Sequence, residues 1–297
     1  MTNKKIVIAG GTGFIGRYLS DEFTNAGYKV LIISRQAGNI RWKHTDAVID
    51  AINNAALLIN LAGKSVDCRY TQKNKNKILR SRIETTQALG EAVLQCSNPP
   101  ELWINSGTAT IYRHSEDRPM TESNGDIGSG FSVDVATSWE SAFLNFDLPK
   151  TRQVVLRMAI VLGKNGGVVT PFKNLIRFGF GGRQGNGNQM FSWIHIADLF
   201  NIITFIQSHK HLKGVYNCSS PHPVNNKTLM RTLRELMNIP FGIPSPKFLL
   251  QTGAVLIRTE TELILKSRWV VPERLLEAGY IFKYPSLDVA LKDILKG

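Results

Sequence analysis

The chain is poor in cysteine, in acidic side chains and in long apolar runs, and each shortage excludes a class of protein. Its three cysteines, Cys68, Cys96 and Cys218, are widely spaced and odd in number, so neither a disulfide framework nor a paired-cysteine metal site is indicated. No apolar run approaches the roughly 20 residues of a membrane-spanning helix. The start, TNKKIVIAGG, lacks the apolar core of a secretory signal. We therefore expect a cytoplasmic protein without a membrane partner.

The shortage of acidic residues leaves a formal net charge of +13, from 36 Lys and Arg against 23 Asp and Glu. A basic surface attracts polyanions such as nucleic acid or phosphorylated small molecules. The densest basic run, residues 73–82, has the pattern of a solvated helix face. Charge alone does not identify the partner, and nucleic acid is the least favoured because nothing else in the sequence supports it.

Apolar runs alternate with stretches of helical spacing along the first half of the chain. The runs at 4–10, 29–35, 56–63, 101–107 and 151–163 predict strands buried on both faces. Alternation of this kind predicts an α/β fold with a doubly wound parallel sheet of Rossmann type.

The alternation loosens after residue 163, where a glycine-rich loop occupies residues 179–189. We predict that residues 1–163 form mainly the nucleotide-binding domain. Residues 164–297 would form mainly a smaller, interleaved substrate lobe, with 190–220 returning to the main sheet. A monomer and a homodimer are both compatible with this organisation.

The segment GGTGFIG, residues 10–16, follows the first strand and opens the first helix. In this context one glycine makes the tight turn, one lets the backbone approach a pyrophosphate, and one lets helix and strand pack closely. The helix N-terminus then favours the phosphate charge. The predicted dinucleotide contacts are Gly10, Thr12, Gly13, Phe14, Ile15 and Gly16.

The end of the second strand distinguishes NAD from NADP. An acidic residue there would hold the ribose 2′-hydroxyl and repel a 2′-phosphate. This chain has Ser34 and Arg35 at that point, and the next acid is Asp46. Because arginine offers a planar fork of donors to phosphate, the sequence favours NADP(H) as the cofactor.

The motifs together resemble the extended short-chain dehydrogenase/reductases, which include the sugar-nucleotide epimerases. GGTGFIG, NLAG (60–63) and SWIHIADL (192–199) carry the broad resemblance. The chain is most similar to an atypical branch described as epimerase family proteins. That closer resemblance rests on SRIETT (81–86), the Trp139–Glu140 pair, RQVVLRMAIVLGKNGG (152–167), GFGGRQGNGNQMFSWIHIADL and VVPERLLEAGYIFKYPSLDVAL.

The resemblance implies further contacts beyond the glycine turn. For the cofactor these are Leu61, Ala62, Gly63, Arg82 and Val161. For the substrate they are Arg183, Gln189 and His195.

The wider family uses a tyrosine as acid/base and a lysine four residues later that lowers the tyrosine pKa from its usual value of about 10. The resemblance places Ser132 in the tyrosine position and Ala136 in the lysine position. None of the seven tyrosines in the chain has a lysine four residues further on. The pair is therefore absent from the whole sequence.

Other side chains are candidates for the missing chemistry. Thr108 matches the hydroxyl that orients the substrate, with Ser106 as the alternative. Tyr112, His195 and Glu140 are candidates for moving the proton, and Thr108 with Tyr112 is the leading catalytic pair. The six histidines share no metal-ligand spacing, and no G-x-S-x-G motif is present.

The leading prediction is an NADP(H)-dependent oxidoreductase or a nucleotide-sugar epimerase-like enzyme acting on an unidentified small, polar substrate. The alternative is a non-catalytic NADP(H)-binding protein, a redox sensor or an interaction module, because the cofactor motif lacks its proton relay.

Overall fold

A computed structural model describes residues 5–164, 166–245 and 266–296, and the remainder of the two predicted domains lies outside the described residues. The strands are β1 (Lys5–Ala9), β2 (Lys29–Ser34), β3 (Ile40–Arg41), β4 (Leu57–Asn60), β5 (Leu102–Thr108), β6 (Arg152–Met158), β7 (Ile160–Leu162), β8 (Met190–Phe191), β9 (Trp193–His195), β10 (Gly214–Cys218) and β11 (Val224–Asn225). The helices are α1 (Phe14–Asn25), α2 (Thr45–Ile52), α3 (Gln72–Gln95), α4 (Phe131–Leu144), α5 (Val169–Arg177), α6 (Ile196–Ser208), α7 (Asn226–Leu236), α8 (Glu273–Glu277) and α9 (Leu287–Lys296).

The central sheet has the strand order β10-β6-β5-β4-β1-β2-β3, and all of its pairs are parallel. Chain connections run outward in both directions from β1, so the order reverses between β1 and β4. A reversal of this kind opens a crevice at the carboxyl ends of the two strands, where open α/β sheets bind ligands. The predicted Rossmann-type fold is confirmed.

Alternate residues of the strands pack into two apolar layers, as the continuous apolar runs predicted. One face of the sheet packs against α1 and α6 through residues such as Leu19 and Ile202. The other face packs against α2, α3 and α4 through residues such as Val48, Leu89 and Phe143. A separate apolar cluster joins α5, α7 and α9 into the C-terminal lobe.

The predicted strand at 151–163 is in fact two strands with different partners. β6 lies in the main sheet, whereas β7 pairs with β9 in a two-stranded sheet of the C-terminal lobe. The backbone changes partner at Ala159, whose N–H reaches Cys218 O, while the N–H of Ile160 reaches Ser192 O. The continuous apolar run at 151–163 could not predict this change of partner, because other residues cover both strands.

Residues 190–220 were predicted to return to the main sheet. Within them, residues 214–218 lie in that sheet as β10, beside β6. The division into two domains stays a prediction.

Among the described residues, no helix combines the length and the apolar character needed to cross a bilayer.

The buried carboxylate of Asp198 fixes the C-terminal segment to the first turn of α6. Asp198 is fully buried and accepts hydrogen bonds from the Tyr280 hydroxyl and from the backbone N–H groups of Lys283 and Tyr284, at 2.8 to 3.1 Å. The carboxylate thus satisfies two buried donors, the Tyr280 hydroxyl and the Tyr284 N–H, and the part-buried N–H of Lys283.

Replacing Asp198 by Ala should lower the free energy of unfolding by about 3 kcal/mol, because it leaves two buried donors and one part-buried donor without an acceptor. Urea denaturation measures the change. Asp21→Ala, at an exposed position within α1, is the matched control and should change stability by less than about 0.5 kcal/mol. Equal effects of the two substitutions would contradict the anchoring role.

Candidate functional site

The glycine turn lies in close contact with the end of β4. Gly10 has φ +81°, and a Cβ atom there would lie 2.8 Å from the backbone of both Leu61 and Ala62. A Cβ at Gly16 would lie 2.5 Å from the Cα of Gly11, so the helix also packs directly on the turn. Both positions therefore require glycine for close approach of backbone to backbone.

Gly13 differs, because the space above it is open. A Cβ there would meet only Gly10 O, at 3.7 Å, and Gly13 is exposed. Gly13 is also the N-cap of α1 and offers no side-chain oxygen to the first-turn N–H groups. Those N–H groups have no intrahelical partner, and they lie at the positive end of the helix dipole. This combination of open space and unsatisfied donors fits a pyrophosphate.

A buried polar cluster behind the turn holds the end of β4 in place. Asn60 donates to Asn105 Oδ1 at 2.7 Å and to Thr86 Oγ1 at 3.0 Å, and its own Oδ1 accepts from the Ala62 N–H. The indole N–H of Trp139 also donates to Thr86 Oγ1. We did not predict this cluster from the sequence. The pattern that could have indicated it is an asparagine, Asn60 and Asn105, in each of two neighbouring buried strands.

Arg82 extends from α3 to the segment that follows β4. Its guanidinium donates to Lys64 O and Ile78 O, and lies 5.1 Å from the ring of Trp139. Its carbon lies 3.2 Å from where a Cβ on Gly63 would be. Burial lowers the pKa of Arg82 to about 10, which still leaves a cation at neutral pH. Since no carboxylate of the described residues forms an ion pair with it, this cation suits an anionic ligand above the turn.

The end of β2 presents Ser34 and Arg35 beside the glycine turn. The N–H of Gly10 donates to Ile33 O, which joins the turn to β2. Ser34 is buried and its hydroxyl accepts from the N–H of Gln36 at 3.0 Å, whereas Arg35 is exposed. The predicted cofactor residues of the turn, β2 and β4 thus lie together at the carboxyl ends of neighbouring strands, and Arg82 approaches them at Gly63. Val161 is separate from them, on β7, where it pairs with Ile194.

Helix α4 contains the two positions that we predict for the family's tyrosine and lysine. Ser132 lies in the first turn of α4, and Ala136 lies one turn further on. Ala136 is 1% exposed and belongs to an apolar cluster with Ile111, Met120 and Val270. The lysine position is therefore filled by apolar packing.

Thr108 ends β5, next to this helix. Its hydroxyl accepts from the N–H of Thr110 at 3.2 Å, and the side chain is half-buried. Ser106 is more deeply buried, within the strand. Of the two predicted hydroxyls, Thr108 is the more accessible, and it keeps its own proton available for donation.

Tyr112 lies in a buried polar network beneath the sheet end. Its hydroxyl donates to Asn217 Oδ1 at 2.9 Å and accepts from Arg157 at 2.8 Å, and the residue is 2% exposed. Arg157 also forms a bidentate pair with Glu140 at 2.7 and 2.9 Å. Burial raises the pKa of Tyr112, and Arg157 offsets part of that rise. Tyr112 and Glu140, two of the predicted proton carriers, are thus engaged with protein partners; their catalytic role stays a prediction.

His195 faces the C-terminal lobe. Its Nδ1 accepts from the N–H of Ala197 and so caps α6, while its ring stacks on Tyr284 with centroids 3.8 Å apart. Burial lowers the pKa of His195, and Asp293, 3.4 Å from Nε2, opposes this effect. The geometry gives His195 a capping role, and its predicted substrate contact stays untested.

Two adjoining cavities, which we call the Lys266 cleft, lie beyond the ends of β5 and β6. One encloses about 380 Å³, and the other, of about 10 Å³, has room for a single water molecule. Their shared wall is Lys266. The larger is lined by Arg113, His114, Ile127, Gly128, Ser129 and Lys266, and the smaller by Ile160, Gln189, Met190, Phe191, Asn226, Lys266 and Arg268.

Lys266 and Arg268 bring positive charge to the end of β5. Lys266 donates to Thr110 O at 2.8 Å, and Arg268 donates to Thr110 Oγ1 at 3.2 Å. Thr110 is two residues beyond Thr108, so these cations lie near the predicted orienting hydroxyl. We did not predict either cation from the sequence, because the short segment KSR (266–268) matches no functional motif.

The predicted substrate residues of the glycine-rich loop separate in the structure. Gln189 is 4% exposed and lines the smaller cavity, where its Oε1 has no hydrogen-bond partner among the described residues. Arg183 is exposed and donates weakly to Asn186 O. No group of His, Cys, Asp and Glu side chains in the described part of the chain could hold a metal ion.

Known proteins resemble this chain over its full length. A model of the NAD dependent epimerase/dehydratase family matches residues 6–132, and a domain of unknown function, DUF1731, matches residues 245–294. The bovine epimerase family protein SDR39U1 is 32% identical over 295 residues, covering 98% of this chain and 99% of its own. The chain belongs to the epimerase family. The predicted resemblance to epimerase family proteins is therefore confirmed.

Two further relatives of this epimerase family chain are a bacterial protein and a human one. The epimerase family protein YfhF of Bacillus subtilis is 30% identical and covers 98% of this chain and 97% of its own. The crystal structure of human epimerase family protein SDR39U1 (isoform2) with NADPH has a TM-score of 0.89 at 32% identity, with 98% of each chain covered.

Replacing Arg157 by Met should lower the free energy of unfolding by about 3–5 kcal/mol, since it leaves the buried carboxylate of Glu140 unpaired. Urea denaturation measures this loss. Arg80→Met removes an exposed i,i+4 partner of Glu84 and should cost less than about 0.5 kcal/mol.

A second variant separates pairing from packing. Glu140→Leu with Arg157→Met removes both charges and should lose less stability than Arg157→Met alone. A double variant that is less stable than the single one would contradict the account of an unpaired buried charge.

Proposed function

We propose that this epimerase family chain binds NADP(H) and acts as an oxidoreductase or epimerase-like enzyme on a small, polar substrate. The proposed cofactor binding rests on the open space over Gly13, at an α1 N-terminus that has no side-chain cap. Arg35 at the end of β2 and the absence of an acid there favour the 2′-phosphorylated form. The NADPH in the human relative's structure supports the same choice.

The residues present fit the cofactor in three places. The glycine turn and α1 would hold the pyrophosphate, Ser34 and Arg35 would hold the ribose end, and Arg82 would supply a cation above Gly63. Bound nicotinamide supplies hydride transfer. The protein then has to orient the substrate and stabilise the charge that develops on its oxygen.

The chain's own groups can perform these two tasks at the Lys266 cleft. The Thr108 hydroxyl can donate a hydrogen bond to a substrate oxygen, and the ammonium of Lys266 can stabilise negative charge on it. The cleft is lined by Arg113, which pairs with Asp117 and Asp126, and by Lys266 and Arg268, and these charged side chains suit a substrate with polar groups. A tyrosine-lysine relay plays no part, because α4 has Ser132 and Ala136 in those positions.

A non-catalytic NADP(H)-binding protein is the second candidate function. One observation favours it: the lysine position lies within an apolar cluster, and the Tyr112 hydroxyl is engaged by Arg157 and Asn217. Such a protein would respond to the NADP(H) redox state through binding alone.

Gly13→Val tests the cofactor half. The added Cβ meets no protein atom closer than Gly10 O, at 3.7 Å, and Gly13 is exposed, so the melting temperature should stay within about 4 °C of that of the unmodified protein. Because the side chain occupies the space predicted for the pyrophosphate, NADPH affinity should fall roughly tenfold or more. Fluorescence titration measures the affinity. Unchanged affinity in the folded variant would refute pyrophosphate binding at this turn.

Thr108→Val tests the catalytic half once a turnover assay is found by screening carbonyl compounds and nucleotide sugars with NADPH. Loss of the orienting hydroxyl should lower kcat roughly 100-fold, while the dissociation constant for NADPH stays within twofold. Val is close to Thr in shape, so packing is retained. No turnover by the unmodified protein across the screen would favour the non-catalytic candidate.

A further inference from the structure

A second arginine lies beside the ribose end of the proposed cofactor crevice. The edge strand β3 pairs in parallel with the end of β2, so that Ile33 is opposite Ile40 and Ser34 is opposite Arg41. Paired strands run about 4.8 Å apart. Arg41 is therefore a direct neighbour of Ser34, although five residues of sequence lie between Arg35 and Arg41.

The pleat of the sheet determines which way Arg41 points. Ile33 and Ile40 both pack into the apolar layer against α2, α3 and α4. The next residue of each strand, Ser34 and Arg41, points to the opposite face, because successive side chains alternate. That face is covered by α1, whose N-terminus forms the proposed phosphate site. Arg41 thus lies on the cofactor side of the sheet.

Three arginines lie on the elements around this point. Arg35 and Arg41 are both exposed, and neither forms an ion pair with a carboxylate of the described residues. Arg17, in the first turn of α1, is also exposed and donates to Thr12 O at 2.8 Å. Two guanidinium groups from adjacent strands offer donors to a single dianion from two sides. A neutral ribose hydroxyl needs no such arrangement.

We propose that Arg41 is a second ligand of the cofactor's 2′-phosphate and forms a two-arginine clamp with Arg35. This inference rests on the proposed NADP(H) binding and assigns a specificity role to a residue of β3. Arg41 contacts only the 2′-phosphate, so it separates NADPH from NADH without contributing to binding of their common part. Arg17 stays on the Thr12 carbonyl and supports the turn.

The test is Arg41→Gln, titrated with NADPH and with NADH. We expect NADPH affinity to fall roughly 10- to 100-fold, the range for a charge-assisted phosphate contact, and NADH affinity to stay within twofold. Lys29→Gln is the matched control. It removes one charge from an exposed position at the other end of β2 and should leave both affinities unchanged.

Competition with adenosine 2′,5′-bisphosphate and with adenosine 5′-monophosphate isolates the phosphate itself. Arg41→Gln should weaken only the bisphosphate. A preference for NADPH that survives Arg41→Gln overturns the clamp alone and leaves the proposed function standing. Equal weakening of NADPH and NADH also overturns it, since Arg41 would then act on the fold. If the unmodified protein shows no preference for NADPH, both the proposed cofactor and the clamp are overturned.

Discussion

The close contact between the glycine turn and the end of β4 is the constraint on which the site depends. Gly10 can lie against Leu61 and Ala62 only because it has no Cβ, and Gly16 lets α1 start directly above the turn. Asn60 then holds the β4 end through three hydrogen bonds, and Trp139 on α4 joins the same cluster through Thr86. As a result, the N-terminus of α1 and the segment after β4, which Arg82 contacts, lie beside each other at the point where the strand order reverses.

The same scaffold gives α4 a structural role that needs no tyrosine-lysine pair. Trp139 supports the crevice from behind, and Glu140 forms the buried pair with Arg157. Ala136, in the lysine position, packs with Met120 and Val270. These contacts of Trp139, Glu140 and Ala136 are structural, and in the proposed function the chemistry at the substrate comes from the end of β5 and from the Lys266 cleft.

Local patterns predicted the parts of the molecule that depend on neighbouring residues. The strand runs, the glycine turn and Arg35 follow one another along the chain, so the sheet and the cofactor crevice could be inferred from the sequence. The Lys266 cleft and the role of Tyr112 depend on contacts over more than 100 residues, such as Tyr112 with Asn217 and Lys266 with Thr110. Spacing along the chain carries no information about such contacts. Arg41 was missed for a related reason, because only the β2–β3 register shows its position.

A crystal structure of this chain with NADPH tests most directly the claim that the cofactor site is complete while the proton relay is absent. The account predicts the pyrophosphate on the N–H groups of α1 above Gly13. It also predicts that the Thr108 hydroxyl is the side-chain group of β5 and α4 nearest to the space above the nicotinamide. A Tyr112 hydroxyl released from Arg157 and Asn217 and directed into that space would contradict it.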